Sequence, residues 1–330
     1  MNSGPRYLRS VATRFLLIAA LFGVVQSPCA AQEPSQKASA PLDANLSISQ
    51  LRSLAERGDA IAQYMLADSY MHNYSTNGNP TSDEVQSAVK WLRASAAQGN
   101  ASAEFRLGYL YEHGQGVSRD YAKAMENYLA AAKQGHSSAE NNLASLYQRG
   151  QGVPKNLAKA FEWYIASAGH GNPVGQCNLA SMYYLGNGIP RDYKEAARWF
   201  RAAADAGSAE AQNSLGVLYY KGMGVTADYS EAARWLLLAA QHELPGAETN
   251  LGYLYEQGKG VSQDYVTAYS WYSRAFAAGD ESATSRRREI AHLMTRKQIN
   301  EATSMVNTVS YQPRQPQSTP AVSAFSLLEH

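Results

Sequence analysis

Apolar and small residues recur along most of the chain at helical spacing. Ala103, Leu107, Leu110 and Tyr111 stand at i, i+4, i+7 and i+8, the mark of an amphipathic helix. A break follows at Gly114 and Gly116, and a second helical face opens with Tyr121, Ala124, Tyr128 and Ala132. Gly114 suits the left-handed stop of the first helix, and Asp120 suits the N-cap of the second. The pattern predicts a helical hairpin with an apolar face that one hairpin cannot bury by itself.

The hairpin repeats. Glycines 99, 135, 171 and 207 are spaced by thirty-six residues, and Glu243 takes the fifth place in register. Eight residues beyond these markers stand Leu107, Leu143, Leu179, Leu215 and Leu251, and twelve beyond stand Tyr111, Tyr147, Tyr183, Tyr219 and Tyr255. A glycine pair, Gly114/Gly116 in the first instance, follows each time, and then a polar column of Asp120, Asn156, Asp192, Asp228 and Asp264. All five tryptophans, 91, 163, 199, 235 and 271, share one late position, at which Asn127 is the exception. An earlier unit begins near Gly58 and carries five extra residues between Met71 and Ser82, where the glycine turn should be. Stacked neighbours bury each other's apolar faces, so the expected fold is all-α: a right-handed α-solenoid of about six 36-residue helical-hairpin repeats plus a C-terminal capping helix.

The run Leu107-Gly-Tyr-Leu-Tyr111, Gly114-Gln-Gly-Val117 and Asp120-Tyr-Ala-Lys-Ala124, with Trp163-Tyr164 and Ala203-Ala204 to Gly207 in sister units, resembles the Sel1-like repeat, a relative of the tetratricopeptide repeat. The resemblance covers about residues 51–280. It extends to residues 281–303, with Arg286-Arg287-Arg288 and Gln298 to Ala302, which are similar to the closing helix that follows such arrays. What it implies is a non-catalytic adaptor that binds protein. Exported bacterial members act as regulators of envelope signalling, secretion or polysaccharide assembly, or as host-contact factors. A cysteine-rich branch linked to β-lactam binding carries a disulfide in each repeat, a pattern that Cys29 and Cys177 alone do not reproduce.

The ends of the chain read differently. Arg6, Arg9 and Arg14 precede the apolar run Phe15 to Val25, and Ser27, Pro28, Cys29, Ala30 and Ala31 follow, the layout of a signal peptide cleaved after Ala31. Eleven apolar residues fall short of the roughly 20 that span a bilayer. The expected organisation is a signal peptide at 1–31, a flexible lead-in at 32–45, the repeat array with its cap at 46–303, and a disordered tail at 304–330. That places the mature chain in the periplasm or outside the cell, with no stable membrane insertion. Cleavage removes three arginines and no acid, turning the formal charge from +1 to −2, so nothing in the charge balance favours nucleic acid. It also leaves Cys177 as a lone thiol, expected to pack as a small half-buried residue.

Catalytic patterns are scarce. Ser87-Ala-Val-Lys90 matches S-x-x-K, but no Ser-Asp-Asn or Lys-Thr-Gly element accompanies it, and its place before Trp91 puts both residues on a solvated helix face. None of the seven histidines forms H-E-x-x-H, and no phosphate-loop pattern occurs. The chain is expected to be no enzyme, with no cofactor and no metal. Arg286 to Arg288 are expected on a solvated face.

One sector of the first helix, beside its core face, remains. Its columns place Arg106, Asn142, Asn178 and Asn250 at one level, Tyr109 and Tyr253 at the next, and His113 and Arg149 at the third. Such a row along a concave groove could bond the backbone of an extended polypeptide, with Tyr and Arg as anchors. The competing reading is that the asparagines tie neighbouring helices together. The rival function is a β-lactam- or peptidoglycan-fragment-binding or hydrolysing protein of the envelope, centred on Ser87 and Lys90; secretion to a host surface would use the same groove.

Overall fold

The computed structural model describes residues 46–77 and 82–306, with the side chains of 72–77 and 82 left aside. Within them it is all helix: α1 (Ile48–Glu56), α2 (Ala60–Asn77), α3 (Ser82–Ala96), α4 (Ala101–His113), α5 (Tyr121–Lys133), α6 (Ser137–Arg149), α7 (Leu157–Gly169), α8 (Pro173–Leu185), α9 (Tyr193–Asp205), α10 (Ala209–Lys221), α11 (Tyr229–Gln241), α12 (Pro245–Gln257), α13 (Tyr265–Ala277), α14 (Glu281–Ala291) and α15 (Arg296–Val306). The architecture is an all-α solenoid of about six repeats. The expected signal peptide at 1–31, the expected lead-in at 32–45 and residues 307–330 of the tail expected at 304–330 lie outside the described residues, while residues 304–306 close α15.

Each hairpin is stopped and started by the residues that the repeat supplies. Helices α4, α6, α8, α10 and α12 end on glycines 114, 150, 186, 222 and 258, all in the left-handed region, with the cap N–H bonded back to Leu110, Leu146, Met182, Leu218 and Leu254. The second glycine serves close approach: a Cβ on Gly224 would fall onto the Tyr193 carbonyl oxygen. The side chains of Asp120, Asn156, Asp192, Asp228 and Asp264 cap the second helices. Glu243, in the fifth glycine place, adopts φ 57° and is the only non-glycine with positive φ among the described residues.

The chain forms two compact units, one over 46–218 with 222–226 and one over 219–221 with 227–306. In the first, consecutive helices pack as hairpins and then hairpin on hairpin. Its core alternates long and small residues: Leu107, Tyr128, Leu143, Tyr164, Leu179 and Phe200 fill it, while Gly108, Ala144 and Ala180 let helices close. The ring of Tyr128 lies where a Cβ on Gly108 would be. In the second unit, Ala268, Tyr272, Ala275, Ala283 and Ile290 form the equivalent core, and α14 and α15 both pack on α13.

One expectation needs correction. The single closing helix over 281–303 is two helices, interrupted at 292–295, because Thr295 and Gln298 make a reciprocal capping box: Gln298 Oε1 accepts from the Thr295 N–H at 2.9 Å and Thr295 Oγ1 from the Gln298 N–H at 3.3 Å. In the first unit of the repeat, the five extra residues placed between Met71 and Ser82 go with a longer first helix: α2 runs on to Asn77, 18 residues against 13 in its sisters.

Candidate functional site

The first helix of each hairpin is packed on nearly every side, and this decides what its columns can do. In α4 the run Ser102–Leu110 has every residue buried except Arg106, and in α6 Ser138–Leu146 is buried throughout. A helix buried all round must bond its polar side chains internally. Asn142, Asn178 and Asn250 are 1%, 3% and 2% exposed. Asn178 Nδ2 donates to Asn141 Oδ1 at 2.9 Å, Asn141 Nδ2 to Asn142 Oδ1 at 3.1 Å, and Asn142 Nδ2 to the Tyr128 hydroxyl at 3.2 Å. Tyr128 in turn donates to Glu112 Oε2 at 2.8 Å, and Glu112 Oε1 accepts from Arg149 Nη2 at 2.9 Å. This chain of side chains ties α8, α6, α5 and α4 together. Asn142 and Asn178 therefore do the tying that the competing reading assigned to them and offer no open row of donors.

Burial and the neighbouring Glu112 charge push the Tyr128 hydroxyl well above the ordinary tyrosine value, so it stays protonated and acts as the donor. The same arrangement returns in the second unit: Tyr272 donates to Glu256 Oε2 at 2.7 Å, and Arg286 Nη1 reaches Glu256 Oε1 at 3.2 Å. Arg286 is thus not on a solvated face. It is 15% exposed and lies over the Tyr253 ring at 5.2 Å, while Arg287 covers Phe276 at 4.1 Å; of the three arginines only Arg288 is exposed.

The remaining predicted residues are distributed as follows. Arg106 pairs with Asp68 at 3.7 Å and is 15% exposed. Tyr109 is buried at its edge and stacks on His113, ring centroids 4.0 Å apart, and Tyr253 is likewise buried. His113 and Arg149 are exposed, as are Leu185, Lys221 and Gln257 in the same column. Helical spacing brings one column of three to the surface and turns the other two inward.

A deeper polar column escaped the sequence reading altogether. Five residues past each marker lie Glu104, Glu140, Gln176, Gln212 and Glu248. Gln134 donates to Glu104 and His170 bonds Glu140, each at 2.8 Å, and Arg274 donates to Glu248 at 2.8 Å. Ala206 stands where Gln134 and His170 stand, and Gln176 Oε1 is buried without a hydrogen-bond partner among the described residues. Glu among leucines at this spacing was the available signal.

Ser87 is half-buried and Lys90 exposed, with the ammonium 5.5 Å from the centroid of Trp91. Cys177 is 1% exposed, fully buried where the sequence suggested a half-buried residue. Among the described residues no group of three or more His, Cys, Asp or Glu could hold a metal ion, and no helix is long and apolar enough to cross a membrane.

Comparison with known proteins agrees with the repeat count. Residues 60–100, 101–136, 137–172, 173–208, 209–243 and 245–280 each match the Sel1 repeat. No curated protein matches the chain. Among solved structures, the chain is similar to c5321, a protective antigen present in uropathogenic Escherichia coli strains that displays an SLR fold, with 32% identity and a TM-score of 0.70 over 79% of this chain. It spans 55% of that antigen's length. A Sel1 repeat protein from Oxalobacter formigenes is similar at 27% identity with a TM-score of 0.62, over 76% of this chain and 98% of the other.

Proposed function

Because the chain belongs to the Sel1 repeat family, we propose that it is an exported adaptor that binds a polypeptide partner along the face of its first helices and performs no chemistry of its own. Sel1 repeats generally mediate protein–protein interaction, and an adaptor needs a rigid backbone that presents a few variable side chains. The observation that carries the reading is the division of the predicted columns. The asparagine and carboxylate columns spend their hydrogen bonds inside the array, whereas His113, stacked on the Tyr109 ring, and Arg149 reach the surface. Arginine and tyrosine are the side chains that anchor interfaces most often.

Export is part of the proposal, supported by the basic, apolar and small-residue order of 1–31. Its test is the intact mass of the native protein in periplasmic and culture-medium fractions. A mature chain beginning at Gln32 is expected; a full-length chain found only in the cytoplasm contradicts it.

Affinity capture from an envelope extract tests partner binding. Wild type is expected to retain a protein that a His113→Ala, Arg149→Ala double variant loses. Return of no protein by the wild type, or labelling by a fluorescent β-lactam that vanishes in Ser87→Ala, would overturn the adaptor reading in favour of an envelope-ligand or β-lactam-binding protein.

A further inference from the structure

The tryptophan column is broken once, at Asn127, and the structure shows what the break leaves. Around that position α3, α4 and α5 border an open, shallow surface cleft of about 370 Å³, lined by Arg93, Glu104, Leu107, Tyr111, Glu126 and Asn127 with three alanines. That volume lies within the range of small-ligand clefts. Asn127 does not fill it, because its Nδ2 turns back to the Lys123 carbonyl at 2.8 Å.

The sister units show what fits there. Trp163 packs on the cluster that holds Ala132 and Leu143, and Trp199 on the cluster that holds Ala168 and Leu179. These are the residues thirty-six and seventy-two places after Ala96 and Leu107, which line the cleft at Asn127. The same backbone thus buries an indole one and two repeats further on. Charge differs in a matching way. Lys90, Arg198 and Arg234 each precede a tryptophan and lie over its ring, at 5.5, 4.9 and 4.4 Å, whereas the residue before Asn127 is Glu126. With Glu104 behind it, the cleft presents two carboxylates; Glu162 precedes Trp163 in the same way, whereas a cation precedes Trp91, Trp199 and Trp235. Arg93 also lines the cleft and donates to the Tyr111 hydroxyl at 3.1 Å.

We propose that this cleft receives a tryptophan side chain from a partner polypeptide, with a basic residue next to that tryptophan meeting Glu126. The incoming pair would restore, between two molecules, the cation-and-indole arrangement that the repeats of Trp91, Trp199, Trp235 and Trp271 build within one. The inference rests on the adaptor reading only for the source of the side chain, and it uses a surface separate from His113 and Arg149.

The test is titration of the isotope-labelled full chain with the capped dipeptide acetyl-Lys-Trp-amide, followed by amide shifts. A small probe of this kind binds with a dissociation constant on the order of 1 mM. Shifts are expected at Arg93, Leu107 and Asn127, and weaker ones with acetyl-Glu-Trp-amide. Asn127→Trp, which copies the sister units, should keep the fold and weaken binding by about tenfold or more. Glu126→Lys should weaken the Lys-Trp probe and leave acetyl-Ala-Trp-amide unchanged; it serves if Asn127→Trp does not fold. Shifts confined to other surfaces, or affinity unchanged by Asn127→Trp, overturn the proposal. Binding that appears only after residues 307–330 are removed overturns it too, by assigning the cleft to the chain's own tail. Since the probe needs no partner, its failure leaves the adaptor reading standing, and a failed capture leaves the cleft standing.

Discussion

Helices α4 and α5 and helices α8 and α9 are the same hairpin drawn twice, seventy-two residues apart, and four of the places at which they differ set their interior chemistry. Glu104, Glu112, Asn127 and Tyr128 in the first pair stand where Gln176, Tyr184, Trp199 and Phe200 stand in the second. The backbone is shared, each of the four helices running for 13 residues between equivalent caps. One hairpin has a charged, hydrogen-bonded interior and an open cleft, and the other lacks those carboxylates and carries an indole at the cleft position. The substitutions come in matched sets: the hydroxyl of Tyr128 meets the carboxylate of Glu112, and where Phe200 lacks a hydroxyl the facing position is Tyr184. At this pair donor and acceptor change together, whereas Gln176, facing Ala206 in place of Gln134, keeps a buried Oε1 without a partner among the described residues.

Emptying the filled hairpin should have the largest effect. Trp199→Asn would turn α9 into a copy of α5 at that position and remove an indole packed on Ala168 and Leu179, at an expected cost of about 3 kcal/mol in urea unfolding. A cost below about 1 kcal/mol would mean that the two hairpins are closer in energy than their packing implies. Gly186→Val tests the shared backbone. Gly186 holds φ 68°, and a Cβ there would stand 3.2 Å from the Arg191 Cβ, so a loss of about 2 kcal/mol is expected. An unchanged melting curve would show that the helix stop lies elsewhere.

Tyr128→Phe makes the charged hairpin resemble the other at a single atom. It removes the donor to Glu112 and the acceptor of Asn142, and about 1.5 kcal/mol should be lost because the carboxylate keeps its place without its partner. Pairing it with Glu112→Tyr, the residue found in α8, should recover part of the loss in a double-mutant cycle; additive losses would show that the columns do not act as sets.

The smallest expected effect is a pH dependence. Burial raises the Glu104 carboxyl above the ordinary glutamate value, against the opposing hydrogen bond from Gln134. The folded chain then holds this proton to higher pH than the unfolded chain. Stability should fall as pH rises from the ordinary glutamate value through the raised folded one, and the penalty should be absent below that interval. Glu104→Gln, which copies Gln176, should flatten that slope in melting curves recorded across the interval; a slope left unchanged assigns it to other groups.

Much of this comparison can be read from the sequence. The thirty-six-residue period, the glycine stops and the Asp/Asn caps lie on the page as identities in register, and the capped helices start and stop at them. The period also singles out Asn127. What it leaves open is direction. A helix enclosed on all sides carries no clean apolar stripe, so a polar residue in it looks solvent-facing, as Asn142, Asn178 and Arg286 do in sequence alone. Their partners are set by which helices stack, with Asn178 bonding a residue thirty-seven positions earlier. The Asn127 cleft is illegible for the same reason, since its walls come from three helices.

The claim on which the functional account turns is that the exposed first-helix column meets polypeptide. A photo-crosslinking residue placed at His113, with a control at the exposed Glu162 on α7, measures this directly in cells. The account predicts a covalent polypeptide adduct from position 113 and none from position 162. Equal adducts at both positions, or none at position 113 while the chain is folded and abundant, would contradict it.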